Sequence, residues 1–279
     1  KVVRQIETSR RPRDMHFDKA HKLLYVACGD DDTIDVIDVG KLAVTRHIPT
    51  GKSPEMFAIA PDGKSLYVSD EDDALVAQID IASGQMLQQI PTGPEPEGVL
   101  VTGDASTIYI TSEVADMVHV FDARSGKMKA NVLVGSRPRR FALRPDAGEV
   151  WVTDELSGQA NVIDTATDRI KATIDFLPPG FRPSDVTPVG IVLSNEGKTM
   201  YVALGRSNHV AFVDAATKKI EKYVLVGSRA WSVTENAAGT RLYVANGLSD
   251  DMSVIDIASA RNIRSIPTGR VPHTVVIDE

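Results

Sequence analysis

The sequence predicts an all-β chain of repeated four-stranded antiparallel units, and three observations carry that prediction. Tyr25-Val26 returns in steps of 42 residues as Tyr67-Val68, Tyr109-Ile110 and Trp151-Val152, then after a step of 50 as Tyr201-Val202, and again as Tyr243-Val244. Ile37-Asp38 keeps the same beat through Ile79-Asp80, Phe121-Asp122, Ile163-Asp164, Val213-Asp214 and Ile255-Asp256. Between the turns lie runs of about five residues rich in Val, Ile and Tyr, and no segment holds a helical period long enough for a stable helix. Four strands in roughly 40 residues make the blade of a β-propeller.

The unit from Glu55 to Thr92 shows each element in order. Met56 to Ala60 is the first strand, closed by the turn Pro61-Asp62-Gly63-Lys64. Ser65 to Ser69 is the second, followed by an acidic loop, Asp70 to Asp73. The third runs from Leu75 to Ile81, the turn Ala82-Ser83-Gly84 follows, and Met86 to Ile90 is the fourth. Asp38, Asp80, Asp122, Asp164, Asp214 and Asp256 end third strands, where a carboxylate accepts backbone N–H bonds across the next turn. The Tyr/Trp series is expected to pack between blades.

Each junction between blades carries an apolar residue followed six positions on by Pro: Ile6/Pro12, Ile48/Pro54, Ile90/Pro96, Val132/Pro138 and Ile266/Pro272, with Val224/Ala230 as a variant. Ile174/Pro188 is the same junction lengthened by eight residues. Seven junctions predict one seven-bladed propeller domain over 1–279, with blades near 13–49, 55–91, 97–133, 139–175, 189–225 and 231–267. The seventh is expected from the terminal strands 272–279 and 1–7, its two middle strands missing from this chain.

A net charge of −7 speaks against a nucleic-acid partner, and no 18-residue apolar run exists to span a membrane as a helix. The single Cys28 excludes an internal disulfide, haem attachment through Cys-x-x-Cys-His and a multi-cysteine zinc site. It aligns with Asp70, Ser112 and Asp154 at a loop mouth, a position that suits packing better than catalysis. Nucleophile elbow, His-Glu-x-x-His, phosphate loop and EF-hand spacings are all absent, and no cofactor is expected. His16, His47 and His119 fall on strands.

Segments such as Val36-Ile37-Asp38, Pro49-Thr50-Gly51, Pro61-Asp62-Gly63-Lys64 and Leu66-Tyr67-Val68-Ser69 resemble the YVTN-type propeller repeat. More narrowly, Glu7 to Met15, Leu24 to Asp30, Pro54 to Ala58 and Pro188-Val189-Gly190-Ile191 resemble the β-propeller proteins associated with pyrroloquinoline-quinone-dependent catabolism. That resemblance implies an exported, periplasmic, non-enzymatic accessory protein of a quinoprotein and transport system. The eight-bladed quinoproteins themselves carry Trp in their docking repeats, and this chain has only Trp151 and Trp231.

Function is expected where the repeat breaks. The residue after each junction Pro, which falls on the rim of one propeller face, is in turn Arg13, Glu55, Glu97, Arg139, Val189, Trp231 and His273. Arg10, Arg11, Arg137, Arg140, Arg182, Arg229 and Arg270 surround it. Four readings stay open. Arg13 with Glu55 and Glu97 with Arg139 can form a ring of satisfied ion pairs. Arg13, Arg139 and Arg140 can fork a small polar or anionic ligand, with Trp231 as a stacking wall. Glu55, Glu97 and His273 can hold a metal for a lactonase or lyase, or Glu55 and Glu97 can act as acid and base. The lengthened loop, with Phe176, Phe181 and Arg182, is expected to be a lid or a docking knob for a partner protein.

Overall fold

The computed structural model describes residues 2–278. It contains six sheets, each of four antiparallel strands in chain order. Blade 1 consists of strands Pro12–Phe17, Leu23–Cys28, Thr33–Asp38 and Ala43–Pro49. The next five occupy 54–91, 96–133, 138–175, 191–225 and 230–267. These limits match the repeat, because alternation of apolar and polar side chains fixes both strand position and register. Blade 5 starts at Ile191, two residues later than expected, since its first strand is only Ile191–Leu193. Residues 2–8 and 272–278 carry no strand, so the described residues show six complete blades.

The chain forms two compact units, 2–133 with blades 1 to 3 and 134–277 with blades 4 to 6. In the N-terminal unit, Tyr25 of blade 1 packs with Phe57 and Leu66 of blade 2, and Tyr67 packs with Ile108 and Phe121 of blade 3. Within the C-terminal unit, Trp151 lies with Ile191 and Met200 of blade 5, and Tyr201 with Val233 and Leu242 of blade 6. Trp151 is fully buried and Tyr109 nearly so. Tyr25, Tyr67, Trp151 and Tyr201 thus fill seams between neighbouring sheets of the same unit, as the repeat predicts, and add to the apolar burial that drives folding.

The repeated aspartates also behave as expected. Asp38, Asp80, Asp122, Asp164, Asp214 and Asp256 accept the backbone N–H three residues on, at 2.6–3.0 Å. Side-chain and backbone hydrogen bonds across these turns hold all six carboxyls below their ordinary range.

Candidate functional site

Two backbone devices present the junction residues, and neither is visible as periodicity. The residue before the junction Pro (or Ala230) is left-handed at Arg11, Ser53, Glu95, Arg137, Arg229 and Val271, with φ between 51° and 60°. First strands then slip register just inside the junction, between Pro12 and Met15, Pro54 and Phe57, Pro138 and Phe141, and Ala230 and Ser232. A bulge leaves one residue out of the ladder and re-aims its side chain. Each junction thereby offers two side chains around one Pro or Ala: Arg11 and Arg13, Arg137 and Arg139, Arg229 and Trp231. A buried hydroxyl on the second strand locks the arrangement. Ser69 Oγ donates to the Glu97 carbonyl at 2.7 Å, and Thr153 Oγ1 to the Val189 carbonyl at 2.7 Å.

In the N-terminal unit these devices converge on Glu55, which is 1% exposed. Arg11 Nη2 donates to its Oε1 at 2.7 Å, and Arg13 donates to its Oε2. The Arg13–Glu55 pair anticipated from the sequence therefore forms. Glu97 lies nearby and is 2% exposed. Burial, then the charge of Glu97, pushes the Glu55 carboxyl up to about 8 against the pull of Arg13, and Glu71 adds to the rise. Arg11, 40% exposed, is the open side of the cluster.

Asp70, at the end of a second strand, is a different buried acid. It has no exposed surface, and among the described residues neither of its carboxylate oxygens meets a hydrogen-bond donor in good geometry. Burial pushes it up to about 8; the Gly51 backbone lowers it, while Asp73 and Asp32 raise it further. Gly51 presses on it so closely that an added Cβ would sit 2.5 Å from Asp70 Oδ2. The same contact recurs where Gly93 covers Ser112 and His119, and where Gly227 covers Asn246.

The C-terminal unit gathers cations around one aromatic ring. Trp231 is 7% exposed, with the Arg139 guanidinium 5.2 Å and the Arg229 guanidinium 4.5 Å from its ring centroid. Two guanidinium groups therefore stack on the ring expected to serve as a wall for a ligand. Trp231 Nε1 donates to His273 Nε2 at 2.5 Å. An indole N–H only donates, so Nε2 is the acceptor in that bond. His273 Nδ1 lies 3.2 Å from Thr274 Oγ1. Glu155, another buried acid, sits 3.5 Å from Arg137 and 3.6 Å from Arg139. Arg140 is 7% exposed, its Nη2 3.4 Å from His273 Nδ1.

Residues 92–265 match the family model described as Lactonase, 7-bladed beta-propeller. The chain belongs to that family. Among solved structures it resembles hydrazine synthase of Kuenenia stuttgartiensis, with a TM-score of 0.61 at 18% identity, over 88% of this chain and 96% of that one. At that identity the likeness is one of fold. No curated protein matches the sequence.

Among the described residues no group of three or more His, Cys, Asp or Glu side chains is placed to hold a metal, and the candidates Glu55, Glu97 and His273 fall under that statement. Cys28 is fully buried and burial pushes its thiol up to about 12, which suits packing and not nucleophilic attack. In the lengthened loop Phe176 is 3% exposed and packs in the core with Val186 and Ile191, so it is not part of a projecting lid. Phe181 is half-buried, edge-on to His209 at 5.3 Å, and Arg182 is exposed. The loop is anchored by its first aromatic and by the bond from Leu177 N–H to Tyr223 Oη at 3.0 Å. No helix among the described residues is long and apolar enough to cross a membrane.

Proposed function

We propose that this chain hydrolyses a lactone, with Glu55 as the proton donor. The observation that supports it is a buried carboxyl pushed up to about 8, which keeps its proton at neutral pH. Ring opening needs such a group. Water adds to the ring carbonyl, the acyl C–O bond breaks, and the leaving alkoxide takes a proton to become the hydroxyl of a hydroxy acid. Glu55 gives that proton, and Glu97 takes one from the attacking water. Arg11 and Arg13 then stabilise the Glu55 carboxylate until solvent returns the proton.

A pH-stat assay against five- and six-membered lactones tests this. Glu55→Gln should cut kcat/KM by about 10²–10⁴-fold, and wild-type activity should fall above pH ~8 as the acid ionises. Unchanged turnover in Glu55→Gln, or a folded wild type that opens none of the lactones, would sink the proposal.

A second reading is favoured by the Arg13–Glu55 pair, which a ring of satisfied charges also explains. It is the non-enzymatic binding protein implied by the resemblance, exported to the periplasm and working beside quinone-dependent alcohol oxidation. The seventh blade and a single domain over 1–279 are proposals of the same standing, supported by the seven junctions and the family's description.

A further inference from the structure

We propose that Arg229, with Arg206 and Arg137, forms an anion site in the C-terminal unit that takes a phosphate or carboxylate group, independently of lactone hydrolysis. Arg229 is the key observation. Its guanidinium is half-buried and stacked on Trp231, yet among the described residues it has no carboxylate within 4.0 Å and none of its side-chain N–H groups meets an acceptor. A guanidinium cannot shed its charge, so holding it in a partly desolvated place is costly, and its five donors are open to solvent or a ligand.

Its surroundings add to that cost. Burial lowers the Arg229 pKa, Glu155 raises it, and the positive charges of Arg206, Arg139 and Arg137 lower it again. Arg206 is exposed and makes no ion pair among the described residues, while Arg137 is 44% exposed. The backbone holds Arg229 in place: φ is 60°, and its N–H donates to Asn208 Oδ1 at 2.8 Å. Trp231 is fixed in turn by His273. A rigid ring therefore presents one guanidinium beside other cations, the geometry in which a compact oxyanion receives forked hydrogen bonds.

Calorimetric titration of the folded protein with inorganic phosphate and with succinate, at constant ionic strength set by chloride, tests the site. Wild type should bind at least one of them saturably. Phosphate alone would identify a phosphoryl ligand and succinate alone a carboxylate ligand. Arg229→Gln should weaken binding at least about tenfold, and Arg206→Gln should weaken it less. Arg229→Lys, which keeps the charge but loses the fork, should fall between. Arg261→Gln, on an exposed outer strand, should bind as wild type. The site is overturned if neither anion binds saturably, or if Arg229→Gln or Arg229→Lys with native near-UV circular dichroism binds as tightly as wild type. Because binding is read directly, failure of the lactonase proposal leaves this result intact.

Discussion

Asp70→Asn should stabilise the protein, and the gain should grow with pH. Asp70 is fully buried, its carboxylate oxygens meet no well-placed donor among the described residues, and burial moves it from an ordinary value of 3.8 to about 8. The native state therefore keeps a proton that the unfolded chain releases. Its stabilising contribution is complete below pH ~4, is lost as pH rises toward about 8, and is gone above that. The slope is about 1.4 kcal/mol per pH unit, so at pH 7 the loss is on the order of 4 kcal/mol. Asn has the shape of the protonated acid and never ionises. Its NH₂ can also donate toward Asp73 or Asp32, the charges that now oppose Asp70. Allowing for relaxation, a gain of about 2–4 kcal/mol at pH 7 is expected, or roughly 4–16 °C in Tm at about 2–4 °C per kcal/mol. Thermal denaturation of both proteins at pH 4.5, 6, 7 and 8.5 measures the difference. A gap that stays constant across that range, or an Asn variant that melts lower at pH 8.5, would refute the buried-acid reading.

Other substitutions probe the scaffold. Gly93→Ala should cost about 1–3 kcal/mol, because the new Cβ would lie 2.5 Å from Ser112 Oγ and 2.8 Å from His119 Nε2; Gly103→Ala, with nothing within 4 Å, should be neutral in the same melt. Phe176→Ala should cost about 3–5 kcal/mol in urea denaturation if the lengthened loop is anchored in the core, whereas a solvent-facing lid would lose under about 1.

The blades could be read from the sequence because strand position, seam aromatics and Asp turns all obey a simple spacing. Tyr67, Trp151 and Asp122 repeat since every blade faces the same packing problem. The junction positions can be located in the sequence but not oriented. Residue type at Arg13, Glu55 and Trp231 flagged the positions, yet spacing says nothing about a bulge or a left-handed Arg229, so which groups meet stayed hidden. Trp231 illustrates this: an aromatic among arginines suggests a ligand wall, and only the geometry shows the guanidiniums already on it. In the sequence Arg229 is one cation among many, because a missing partner leaves no trace there. One further signal does lie in the sequence. The glycine in Thr50-Gly51, Thr92-Gly93, Val134-Gly135 and Val226-Gly227 repeats with the blades, and a repeated Gly outside a turn points to close backbone approach, here onto Asp70, Ser112, Asp154 and Asn246.

The two units show how one repeated frame gives opposite chemistry. At the junction of blades 1 and 2, the side chain after Pro54 is a carboxylate, and the preceding junction supplies Arg11 and Arg13 to it. Burial works against the negative charge there, so the group holds a proton and becomes an acid. At the start of blade 6 the corresponding side chain is Trp231, which accepts cations on its face but cannot neutralise them. The same burial then leaves positive charge in excess at Arg229. A carboxylate at that position would offer Arg229 an ion pair. An aromatic keeps the guanidinium in place and leaves its hydrogen bonds for a ligand that brings its own negative charge.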